Sequence, residues 1–153
     1  MTPTTDHGNR HFLVVVAEES KAVVYRRAAL SAPLQETTTF ENEAARLKTG
    51  EILADKGGRS FDSHGHGRHT MAHEKTDPKK HLAEQFAREL AEHVKTDVVR
   101  GTCRGYALVA APQFLGMLRA ALARHTPMEP YATVDKNVVG QAEAVIEKLL
   151  FES

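Results

Sequence analysis

The chain has 153 residues, its 20 Lys and Arg balance 20 Asp and Glu, and 41% of it is hydrophobic. That length fits one domain, which on folding buries roughly 70% of its unfolded surface, so neither a disulfide nor a metal is needed to make a core. The balanced charge excludes a dedicated duplex-DNA binder and leaves any attraction for nucleic acid to a local patch.

Cys103 is the only cysteine, which excludes an intrachain disulfide and fits a reducing compartment. The opening M-T-P-T-T-D-H-G-N-R-H is polar and lacks the apolar core of a signal peptide. No apolar run approaches a membrane span. A cytoplasmic protein without a membrane partner is expected, with residues 1–10 as a flexible leader and 11–151 as a single α/β domain.

His11 to Ala17 is an almost continuous apolar run rich in β-branched residues, which predicts a central strand buried on both faces. Glu18-Glu19-Ser20 breaks it, and Lys21 to Ala28 predicts a second strand, antiparallel through a tight hairpin. A third strand is expected between Leu34 and Phe40, with Pro33 placing its start at an edge. Asn42 to Leu53 reads as a helical turn or two at most.

From Asp55 to His73 the pattern fails. This stretch has four glycines, three Lys or Arg and four histidines, and neither the helix nor the strand period fits it. From Lys56 to His81 there are six Lys or Arg against three Asp or Glu. An exposed glycine-, histidine- and base-rich loop is expected at about 54–76.

Asp77-Pro78 then predicts a helix start, with Asp as N-cap and Pro at the first helical position. Leu82, Ala83, Phe86, Ala87, Leu90, Ala91 and Val94 form its apolar stripe, and Glu84 with Arg88 an outward i, i+4 pair. Tyr106 to Ala110 predicts a buried strand, and Pro112 opens a helix through Arg124 with Phe114, Leu115, Leu118 and Leu122 inward. Tyr131 to Val134 predicts a further strand. A closing helix is expected from about Val138 to Phe151, with Ala142, Val145, Ile146, Leu149 and Leu150 on one face. Three antiparallel strands followed by α-β-α-β-α around one mixed sheet is the order of a ribonuclease-H-like domain and of the release-factor middle domain.

The blocks K-G-G-R-S-F-D-S, G-x-G-R-H-x-M, T-D-P with F-A-R-E-L, and L-V-A-A-P-Q-F-L-G resemble the bacterial host attachment protein family, from His11 to about Leu150. That family is similar in turn to the middle domain of eukaryotic and archaeal peptide-chain release factors. The resemblance implies an RNA-contacting loop, in which Gly57 and Gly58 match the first two positions of the release-factor Gly-Gly-Gln motif. Arg59 stands where the glutamine would position water for peptidyl-tRNA hydrolysis, so a non-hydrolytic role is expected. Ser60 follows, as a small residue often does in the motif.

Read as chemistry, Gly57-Gly58 lets backbone amides approach an anion closely, and Lys56, Arg59, Arg68 and Lys75 would neutralise phosphates of ribosomal or transfer RNA. The plainer alternative is a solvated loop without a partner. His64, His66, His69 and His73 are dense enough for a metal and would serve a metal-dependent hydrolase. They do not make the H-E-x-x-H pattern, however, and Gly65 and Gly67 leave their spacing unconstrained. Exposed histidines that take up metal opportunistically are the plainer account, so no cofactor is expected. Ser60 or Ser63 with Asp62 and His64 is a poor triad, because a triad is assembled across a fold.

A two-metal nuclease would need carboxylates converging on the sheet, and the strands carry none inside them. Only Glu18, Glu19 and Asp135 lie at or near strand ends. Gln113 and Asp135 follow the last two strands, where open sheets place ligand crevices; Pro112 and Asn137 as plain helix starts are the alternative. A non-enzymatic protein-interaction module acting indirectly in attachment to host cells remains the competing class, and the sequence leaves the oligomeric state open.

Overall fold

The computed structural model describes residues 10–47 and 77–152. Five strands, β1 (His11–Ala17), β2 (Lys21–Arg27), β3 (Gln35–Glu41), β4 (Cys103–Ala110) and β5 (Ala132–Val134), form one sheet in the order β3-β2-β1-β4-β5. β2 runs antiparallel to both β1 and β3, and β4 is parallel to β1 and to β5. The helices are α1 (Pro78–Arg100), α2 (Pro112–His125) and α3 (Glu143–Glu152), with a helical turn at 43–47. The fold is a mixed α/β domain around a single sheet.

The apolar run of β1 puts it at the centre, because a strand with Leu13, Val14, Val15 and Val16 all buried needs cover on both faces. Alternation divides these residues. Leu13 and Val15 join Val24, Tyr106 and Leu108 under α1 and α2, while Val14 and Val16 join Val23, Tyr25, Val109 and Val134 under α3. Phe86 of α1 stacks on Phe114 of α2 with ring centroids 5.9 Å apart, which ties the two helices together over the first face. Each such buried ring contributes roughly 1.5–3 kcal/mol relative to exposure.

α1 begins and ends as its sequence dictates. The Asp77 carboxylate accepts from the backbone N–H of Lys79 and Lys80, and Gly101 closes the helix with φ of 80°. Gly101 N–H donates to the Val98 carbonyl and Thr102 N–H to the Asp97 carbonyl, both at 3.0 Å, the paired bonds of a Schellman end. Buried His11 meets the Asp97 carboxylate at 3.2 Å, fastening β1 to the end of α1.

β3 lies at the edge that Pro33 suggests, one residue later than expected. Its pairing passes from Val24↔Thr38 to Tyr25↔Glu36, so Thr37 is an extra, bulged residue whose hydroxyl donates back to the Val24 carbonyl at 3.0 Å. β4 starts earlier than the apolar pattern implies, at Cys103, and β5 is a residue shorter, although Tyr131 N–H still donates to the Tyr106 carbonyl at 2.9 Å.

The closing helix departs most from expectation. It starts at Glu143, because Gly140 at φ 86° ends a separate turn in which Gln141 N–H donates to the Val138 carbonyl. Asn137 accepts from Val139 N–H and so caps that turn, not a helix. Ile146 is the buried anchor of α3, with Leu149 and Leu150 partly buried; Ala142 and Val145 face outward. Among the described residues the ion pairs do not include Glu84 with Arg88.

Candidate functional site

Parallel strands and the helices that follow them leave a crevice at the carboxyl end of a sheet. Here that end is marked by Ala17 of β1 beside Ala110 of β4. The β1–β2 turn leaves from Ala17, and α2 starts just after Ala110 at Pro112. Asn42 holds this end together. Its backbone N–H donates to the Ser20 carbonyl at 2.8 Å, and its side-chain amide donates to the carbonyls of Glu19 and Leu82, both at 3.2 Å. The chain before residue 48 and the helix after residue 76 are thereby joined to the same turn.

A cavity of about 430 Å³ opens at this place, lined by Glu19, Asp77, Lys79, Lys80, Gln113 and Met117. Residues from the first hairpin, the start of α1 and the start of α2 meet there. The two helix starts differ chemically. α1 is capped by Asp77, whereas no side chain caps α2, whose N-cap is Ala111 followed by Pro112. Two lysines and two carboxylates line the cavity, and the Asp77 carboxylate is already engaged by backbone amides.

Gln113 is among the residues lining this cavity, and Asp135 is not. Lys56, Gly57, Gly58, Arg59, Ser60, Arg68 and Lys75 lie outside the described residues, as do His64, His66, His69 and His73. Among the described residues no group of three or more His, Cys, Asp or Glu could hold a metal ion. Glu19 enters the sequence reading only as a strand-end carboxylate, and Lys79, Lys80 and Met117 are not singled out there. The run Lys79-Lys80 directly after Asp77-Pro78 was the available signal, since it places two cations in the first turn of a helix.

Among the described residues, the groups whose ionisation the fold shifts lie away from this cavity. Burial pushes the Cys103 thiol up to about 11 and the Tyr106 phenol up to about 12. Burial likewise raises Tyr25 and Tyr131, the latter opposed by the charge of Arg27. Cys103 donates to the Gly105 carbonyl and Tyr106 to the Met128 carbonyl, as structural groups do.

Fold and site together define a single-sheet α/β domain with a polar crevice at the carboxyl end of its parallel strands. No helix among the described residues is long and apolar enough to cross a membrane. The chain belongs to the family described as "protein required for attachment to host cells", whose model matches residues 13–150. No curated protein matches the sequence.

Proposed function

We propose that this protein is a cytoplasmic, non-hydrolytic RNA-contacting module that serves attachment to host cells indirectly. Its partner is ribosomal or transfer RNA, engaged through Lys56, Gly57, Gly58, Arg59, Ser60, Arg68 and Lys75. The observation that carries this reading is the junction at Asn42. Asn42 and Leu82, which lie on either side of the span 48–76 in the sequence, meet near the carboxyl end of the parallel strands, where Lys79 and Lys80 line the crevice.

The strand order β3-β2-β1-β4-β5, with β2 alone reversed, supports kinship with ribonuclease-H-like domains and the release-factor middle domain. Membership of the host-attachment family points to the wider role. Arg59 in place of a water-positioning glutamine favours binding without cleavage.

Co-sedimentation of the untagged chain with purified ribosomes across a salt series tests this. The expected result is association that falls steeply with salt, as phosphate neutralisation requires. It should be lost in a Gly57→Ala/Gly58→Ala/Arg59→Ala variant and weakened in Lys79→Glu/Lys80→Glu. No association at low salt, with parent and variants equally folded, refutes the RNA reading. Capture of a protein partner insensitive to salt would favour the interaction-module reading instead.

A further inference from the structure

The opposite end of the sheet holds a second cavity, of about 290 Å³, unrelated to the crevice. β2 alternation sends Arg27 to the α3 face with Val23 and Tyr25, and there the arginine is 5% exposed. Its Nη1 donates to the Leu30 carbonyl at 2.6 Å and its Nη2 to a Glu147 carboxylate oxygen. Its Nε has no partner among the described residues. A buried N–H of a charged group without an acceptor is rare in native proteins and needs an account.

The rim gives a second, independent observation. Six large hydrophobic residues stand exposed among the described residues, and Leu30, Tyr131 and Phe151 all line this one cavity. Scattered apolar side chains are ordinary on a surface, but a group around a concavity marks a binding site. Arg104 is not part of the lining; it donates to the Ala28 carbonyl at 3.3 Å and stands 5.0 Å from the Phe12 ring centre. Phe12 in turn meets Tyr131 edge-on at 5.8 Å. The charged lining is thus Arg27 and Glu147, and of the pair the arginine is fixed in place, its side chain 4% exposed against 39% for the glutamate.

We propose that this cavity binds a small amphiphilic carboxylate, an acyl or aryl-substituted acid. Its head group accepts from Arg27 and its apolar body lies against Leu30, Tyr131 and Phe151. A cationic head is disfavoured because the unpartnered buried group is a donor, the Nε of Arg27. The volume, at the small end of ligand sites, excludes a long fatty chain. An acid entering here competes with Glu147 for the guanidinium, and the exposed glutamate can turn to water. The proposal is independent of the RNA reading, which rests on other residues.

Isothermal titration of the full chain with hexanoate and with phenylacetate, beside hexanol and hexylammonium, tests it. The acids should bind about tenfold or more tighter than the alcohol, with no binding of the amine. Leu30→Ser and Phe151→Ser should each weaken both acids severalfold. Arg27→Gln should abolish the preference for acid over alcohol. Glu147→Gln should tighten the acids, an effect that misfolding cannot imitate and that decides the matter should Arg27→Gln fail to fold. Equal affinity for acid and alcohol, weaker acid binding in Glu147→Gln, or no heat with either acid would each overturn the proposal. So would acid binding indifferent to both rim substitutions.

Discussion

Asn42 performs two tasks that substitution can separate. Its side-chain oxygen accepts from Ala45 N–H at 3.4 Å, a long cap on the turn at 43–47. Its side-chain nitrogen bridges the Glu19 and Leu82 carbonyls at 3.2 Å each. Asn42→Ala removes two donor bonds worth about 1 kcal/mol each and a weak cap, so a loss of about 2 kcal/mol is expected. At this chain length that lowers the melting temperature by roughly 4–8 °C. Asn42→Asp keeps an equally good cap but sets a carboxylate oxygen against two carbonyl oxygens. Near neutral pH it should therefore cost more than alanine, by about 1 kcal/mol. Those carbonyls raise the introduced carboxyl above its unfolded value near 3.9. The extra penalty is therefore present above the folded pKa, shrinks as pH falls through it, and vanishes below the unfolded value. Urea unfolding of parent and both variants, compared at neutral and at acid pH, measures all of this. An aspartate variant at least as stable as the alanine variant at neutral pH would refute the bridge and leave Asn42 as a cap alone.

Phe114→Ala should lose about 3–5 kcal/mol, since the ring is fully buried against Phe86; a loss below about 1 kcal/mol by urea unfolding would show that the helices are not coupled there. Gly101→Ala should lose about 1 kcal/mol from left-handed strain alone, because an added Cβ meets nothing within 4 Å; Gly101→Asn should lose less. Alkaline stability should decline in a defined window. The unfolded thiol ionises near its ordinary value of 9, whereas burial holds Cys103 protonated to about 11. Over that interval the unfolded state binds fewer protons, so stability falls as pH rises, by about 1.4 kcal/mol per unit from this group at most. Tyr106, raised to about 12, extends the decline, and Cys103→Ala should remove its first part in urea midpoints measured against pH.

The elements with one dominant signal were legible in the sequence. β1 is a run of buried apolar residues, and α1 has both a cap and a stripe, so neither needed tertiary information. α3 was misjudged because Val138 is apolar and buried and reads as the first turn of the helix. It instead plugs the core from a separate turn that Gly140 closes. The cavity that Gln113 lines draws its residues from three stretches far apart in sequence, which topology alone brings together, so no local pattern could name the set. Arg27 was invisible as a site. Arg26 and Arg27 are adjacent in sequence, and the period of two leaves Arg26 exposed while it sends Arg27 beneath α3, a tertiary contact with Glu147 that no local pattern signals.

The two ends of the sheet order bear on how the protein behaves in company. A long, regular outer strand is a template onto which another chain can add. Here the strand on one side is interrupted by Thr37, which turns its hydroxyl back onto its own neighbour, and the strand on the other side is three residues long. Among the described strands, two copies meeting side by side find only a bulged edge and a short one, and neither offers a long, regular ladder to extend.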